Sequence, residues 1–347
     1  MIQGYFHRWE QRLAEVSKHD RKVRPFEWGL DWIREPGAGN REPSDPRAAV
    51  SAWVDEVMRD TDAFFTPKPT RDYVLDAGVL TFPSGFTTPH PENNLVRARY
   101  FPADPIGKRG LKPARSNRAV VVLAQWNSDS EGHIGLCKLL SKLGIASLRI
   151  SLPYHDQRMP PELTRADYIV SSNIVRTVQV CRQAVMDVRL ALWWLRDQGY
   201  DRLGLLGTSL GSCLSLLTAC HEPLVRAQAL NHVSPFFSDV VWRGLSTEHV
   251  QQGFEGHVDA DELRAFWRPI SPWSYLERVR GTHTLLVYAK YDLTFPVDLS
   301  VKLIDEFRRR AIPIDVRVLP CGHYSTGSAP FKYLDGWYLG RFLATRL

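Results

Sequence analysis

Residues 202–219 read RLGLLGTSLGSCLSLLTA, and this stretch decides the fold. A short apolar run, 203–206, meets Gly207-Thr208-Ser209-Leu210-Gly211 and passes directly into a leucine-rich helical pattern. The order is strand, sharp turn, helix, with Ser209 at the apex in a strained backbone conformation. Strand and helix converge there, so the residues two before and two after the serine must be small, and Gly207 and Gly211 fill those positions. The new helix directs free N–H groups and its positive dipole end toward the serine. An oxyanion can be held at that point, with Leu210 N–H as one donor.

Working outward, 347 residues suffice to bury a large core, and 44% hydrophobic with 24% charged residues is the composition of a globular protein. The net charge of +6 arises from 44 basic and 38 acidic residues that are interspersed rather than blocked, which argues against nucleic-acid binding. Five scattered cysteines without CxxC spacing suit the reducing cytoplasm better than a disulfide framework or a zinc site. The first residues, MIQGYFHRWEQRLAEV, contain no apolar core of a secretory signal, and no apolar run is long enough to cross a bilayer.

Residues 1–72 are expected to form a helical extension, with Tyr5, Trp9, Leu13 and Val16 as one apolar face and 48–65 as a second helical stretch after a loop at 36–46. The pattern then turns to strands at 74–82 and 95–101, suited to an antiparallel hairpin. After a basic connector, 107–118, buried strands are expected at 119–124 and 145–151 with a helix near 136–143 between them, a βαβ unit. Ile174, Val178, Cys181, Val185, Val188, Leu192 and Leu195 recur at helical intervals; Thr164 with Asp167 resembles a capping box at the start, and Gly199 lies past the end. Strands at 226–231, 283–289 and 314–319, a helix at 303–309 and a closing helix at 331–347 complete the α/β pattern. Between them, 236–276 reads as an aromatic-rich insertion of short helices, a lid, with Phe236, Phe237 and Trp242 as candidate walls of a substrate pocket.

A serine hydroxyl needs a base, and the base an orienting acid. On a parallel sheet both belong just past the C-terminal ends of later strands. Asp292 follows the strand ending at 289 and His323 follows the last strand, which makes Ser209 the candidate nucleophile, His323 the general base and Asp292 its orienter. Asp239, after the preceding strand, is the alternative acid. The loop Ala124-Gln125-Trp126-Asn127 should supply the second oxyanion donor, either Trp126 N–H or Gln125 N–H. In Tyr154-His155-Asp156-Gln157-Arg158, two adjacent candidate ligands lack a third, so Asp156 and Arg158 are expected to fix that loop rather than bind metal. Cys213 and Cys321 are expected to pack.

From about residue 95 onward the chain resembles the α/β-hydrolases, on the elbow and the two loops carrying Asp292 and His323. It departs from the family at Ala124 and Gln125, where His-Gly is common. A narrower similarity, to the abhydrolase-domain-containing-protein-18 group, is carried by ASLRISLPYHDQR (146–158) and WLRDQGYDRLGLLGTSLG (194–211). The resemblance implies a serine-hydrolase scaffold; with the change of period at residue 73, the α/β-hydrolase domain is expected over 73–347, and the protein is expected to be a cofactor-free serine hydrolase. The expected reaction is cleavage of a small-molecule ester or thioester through an acyl-enzyme. A peptidase on the same residues and a catalytically silent binding protein are the alternatives.

Overall fold

Aliphatic runs without charge, such as Val120-Val121-Val122-Leu123, are stable as strands only where both faces are covered, and they form the middle of a nine-stranded sheet. The computed structural model describes residues 2–16, 18, 20–33, 43–104 and 116–347. Most of the connectors expected at 36–46 and 107–118 lies outside these residues.

The strands are β1 Val74–Asp76, β2 Val79–Pro83, β3 Leu95–Phe101, β4 Arg118–Leu123, β5 Ala146–Ile150, β6 Arg202–Thr208, β7 Val225–Asn231, β8 His283–Ala289 and β9 Asp315–Leu319. Their spatial order is β1-β2-β3-β5-β4-β6-β7-β8-β9. The first three are antiparallel to their neighbours, and every pair from β5 to β9 is parallel. Val121 and Leu123 enter one core and Val120 and Val122 the other, as strand alternation requires.

The helices are α1 Ile2–Val16, α2 Pro46–Arg59, α3 Thr61–Phe65, α4 Ile134–Lys142, α5 Ile174–Asp197, α6 Leu210–Ala219, α7 Phe237–Arg243, α8 Glu248–Gln252, α9 Ala260–Phe266, α10 Val297–Arg309 and α11 Phe331–Arg346. α4 and α11 cover one face of the sheet; α5 and α6 lie in the core on the other. All seven periodic positions of α5 are buried. Among the described residues no helix is long and apolar enough to cross a membrane.

Four expectations are corrected. The strand at 74–82 is two strands joined at Ala77-Gly78, both with positive φ, which is a tight hairpin of its own. α5 begins at Ile174, capped by Asn173, whose side chain accepts from Arg176 N–H; Asp167 instead pairs with Arg24 and Arg165. α10 starts at Val297, earlier than its apolar spacing suggested. On α1, Tyr5 and Val16 are exposed, while Glu10 and Ala14 are buried. A carboxylate occupies the buried stripe because donors meet it there, as described below.

Asp187 on α5 accepts from Arg158 Nη2 at 2.8 Å, from Ser84 Oγ at 2.7 Å and from Gly85 N–H at 3.0 Å. Arg158 in turn donates to the carbonyls of Asn93 and Ser151, so one fully buried pair ties the loop after β5 to the sheet and to α5. Removing one member strands the other charge. Asp187→Ala is therefore expected to lower unfolding free energy by about 3–5 kcal/mol, read as a reduced urea midpoint at unchanged slope.

Candidate active site

The register of the parallel strands brings five chain ends to one edge: Leu123 pairs with Gly207, Thr208 with Asn231, Asn231 with Val287, and Ala289 with Leu319. The residues that follow these strands therefore meet. Ser209 has φ +57° and ψ −120°, and its N–H donates to Asn231 O at 2.8 Å. A Cβ on Gly207 would collide with the backbone of Gly211 and with Ser215 Oγ; one on Gly211 would collide with the carbonyls of Leu123 and Ala124. The elbow has no room for a side chain at either position.

Ser209 Oγ lies 3.1 Å from His323 Nε2, and His323 Nδ1 lies 3.0 Å from Asp292 Oδ2. Asp292 Oδ1 accepts from the N–H groups of Thr294 and Phe295 at 2.8 and 2.7 Å. Burial disfavours charge on both Asp292 and His323, yet their mutual attraction prevails. It holds the Asp292 carboxyl well below the usual carboxylate range and the His323 imidazole above its ordinary pKa. Phe295 stacks on the His323 ring at 5.3 Å between centroids.

His232, directly after β7, was missed in the sequence although its place at a strand end was a usable signal. Its Nδ1 lies 3.0 Å from Asp292 Oδ2, without hydrogen-bond alignment, and its ring packs 4.5 Å from that of His323. Burial, then the neighbouring His323, pushes its pKa down. His232, Asp292 and His323 are, among the described residues, a group compact enough for a metal ion. Asp292 Oδ2 and both nitrogens of His323 are at the same time within hydrogen-bond distance of one another and of Ser209 Oγ.

The loop after β4 flanks the elbow. Its Asn127 N–H donates to His155 Nε2 at 3.0 Å, and His155 Nδ1 donates to Pro153 O at 2.9 Å, which fixes the neutral tautomer. Burial lowers the His155 pKa to about 4. Trp126 Nε1 donates to Ala166 O, the Arg165 guanidinium lies over its ring, and the His249 ring stacks parallel to it. Asp156 accepts from Arg149 and Ser151, so that loop is held by hydrogen bonds as expected.

Gln125, Trp126, Ser209, Leu210, His232 and His323 all line a cavity of about 910 Å³. Phe237 lines it too, with Val170, Val240 and Val241. Phe236 and Trp242 are not among its walls: Phe236 packs on Trp273 under Arg264 and Lys302, and Trp242 on Phe254. The alternative acid is also engaged elsewhere, since Asp239 receives both Nε and Nη2 of Arg264. Cys213 and Cys321 are buried thiols with pKa values raised by burial to about 12.

This sheet order, with a serine elbow at its edge, defines the class of architecture: the chain has the α/β-hydrolase fold. Within it, residues 133–265 match the family described as alpha/beta hydrolase domain containing 18. No curated protein sequence matches the chain. Among solved structures, acetyl xylan esterase 1 from Thermoanaerobacterium sp. JW/SL YS485 superposes with a TM-score of 0.56 at 15% identity, covering 91% of this chain and 99% of its own. Acetyl xylan esterase from Paenibacillus sp. R4 gives 0.58 at 14%, covering 91% and 98%. The Pyrococcus horikoshii acylaminoacyl peptidase gives 0.58 at 12%, covering 81% of this chain, which spans 42% of the length of that peptidase. At these identities the likeness is one of fold.

On an ordinary helix, glycine to alanine gains up to about 1 kcal/mol. At Gly211 the Cβ meets backbone that cannot turn aside, so the sign reverses. Gly211→Ala is expected to cost about 3 kcal/mol or more in urea unfolding.

Proposed function

We propose that the protein is a serine hydrolase that cleaves a small-molecule ester or thioester through an acyl-enzyme, in the manner of a carboxylesterase or lipase. The reading is carried by the continuous chain from Ser209 Oγ through His323 to Asp292 at the elbow. In the first step the Ser209 proton passes to His323 Nε2 while Oγ bonds to the carbonyl carbon, and the oxyanion is held by Leu210 N–H with Trp126 N–H or Gln125 N–H. Collapse expels the alcohol or thiol, which takes the proton from His323. Water then gives a proton to His323 as it attacks the acyl-serine, and collapse releases the acid while His323 returns that proton to Ser209 Oγ. The carboxylate of Asp292 stabilises the imidazolium in both halves.

Phe237, Val170, Val240 and Val241 suit an acyl group, and we take 236–276 as a lid over it. Residues 1–72 are read as a packed extension of the hydrolase domain, 73–347. No cofactor or metal enters the scheme, and five unpaired cysteines favour the cytoplasm.

Ser209→Ala should lower hydrolysis of an activated short-chain ester by about 10⁶-fold and abolish labelling by a fluorophosphonate. Wild-type protein that neither hydrolyses nor labels would make the fold a silent binding scaffold. Asp292→Asn should cost about 10⁴-fold in kcat. The base works as neutral imidazole, so activity falls as pH drops through the raised pKa of His323. His133, His155 and His249 have pKa values lowered to about 4 and add no step above that. A pH profile of kcat/KM is thus expected to show an acid limb for His323 with its midpoint above the ordinary histidine value, and the cavity-lining Asp335, its pKa raised by burial to about 7, titrates in the same range.

A further inference from the structure

We infer that Glu10, on helix α1, is a positioning residue for His323: its carboxylate ties down the 322–325 loop that presents the imidazole to Ser209. The inference rests on the catalytic reading of that relay. Glu10 is fully buried. Its Oε2 accepts from Tyr324 N–H at 2.7 Å, and its Oε1 accepts from Ser325 N–H at 2.9 Å and from Ser325 Oγ at 2.7 Å. The same Ser325 Oγ accepts from Gly322 N–H at 2.8 Å. The N–H groups of the residues on both sides of His323, Gly322 and Tyr324, are therefore linked, directly or through one hydroxyl, to a single carboxylate from the far end of the chain.

The fit leaves no slack. A Cβ on Gly322 would overlap the Glu10 carboxyl group. α1 also reaches the loop of the acid, where Phe6 stacks on Tyr291 at 4.7 Å and 8°. Burying a carboxylate is costly unless donors are waiting for it, and a methionine would fill this space more cheaply if packing were the only need. The charge has a second effect. His323 is faced by Asp292 after β8, by His232 after β7, by Ser209 at the elbow and by adjacent Tyr324, whose hydroxyl accepts from Arg21. Burial works to lower its pKa, and Asp292 and then Glu10 raise it by their negative charge.

Glu10→Gln keeps the size, removes the charge and turns an NH₂ toward at least one of the loop donors. Ser325→Ala keeps the charge and cuts the link to Gly322. Both are made in the full chain and compared with wild type by kcat per fluorophosphonate-titrated site, KM, the pH profile, and NMR titration of His323. Both variants are expected to lose about 10- to 100-fold in kcat per titrated site, with KM little changed, because a displaced base costs rate more than binding. Glu10→Gln should also move the acid limb and the His323 NMR titration to lower pH, while Ser325→Ala leaves them in place. Unchanged kcat per titrated site in both variants, or an unmoved His323 titration in Glu10→Gln, overturns the inference. Should Glu10→Gln fail to fold, kcat per site of Ser325→Ala decides alone. If wild type is not labelled, the catalytic reading has failed, and the His323 titration still reports on Glu10.

Discussion

Everything at this site depends on how closely β6 and α6 approach each other. With no room for a Cβ at Gly207 or Gly211, the chain turns through one residue, and that residue has to take a positive φ. The turn brings Ser209 N–H onto Asn231 O, so the serine is fixed relative to the next strand as well as to its own helix. The carbonyls of Leu123 and Ala124 lie against Gly211, so the neighbouring loop shares the same fixed point. Hydroxyl, helix terminus and candidate oxyanion loop are thereby positioned by one steric condition.

Around that point, each loop is secured by a different buried polar group. His155 holds the loop after β4 as a neutral acceptor, Arg149 and Arg158 hold the loop after β5, and Glu10 holds the loop after β9. Irregular backbone at a sheet edge cannot satisfy its own donors, and these side chains supply the missing partners. Asp292 follows the same rule, with two backbone N–H groups on one oxygen and His323 on the other.

The elbow and the Ser209, Asp292, His323 set were legible because each signal is local: a glycine-flanked serine between strand and helix, or a polar residue a few positions past an apolar run. The α/β-hydrolase fold and its parallel sheet followed from the same patterns. What stayed hidden depends on partners distant in the chain. Glu10 reads as the polar side of an amphipathic helix until Tyr324 and Ser325, more than three hundred residues away, provide its donors. Asp239 looked available as an acid because nothing nearby announced Arg264. Phe236 and Trp242 had the right composition for a pocket, yet the faces of short helices are too brief for spacing to say which aromatic turns inward. Thr164 and Asp167 matched a cap by pattern, but Asn173 has the geometry.

The positive φ of Ser209 has one more implication, for how such a chain drifts under selection. The backbone at that position suits glycine better than any residue with a side chain, so the serine is held there at a standing conformational expense. Pressure for thermal robustness alone favours its loss, and with it the hydroxyl. Fold durability and retention of that hydroxyl thus pull in opposite directions at a single codon.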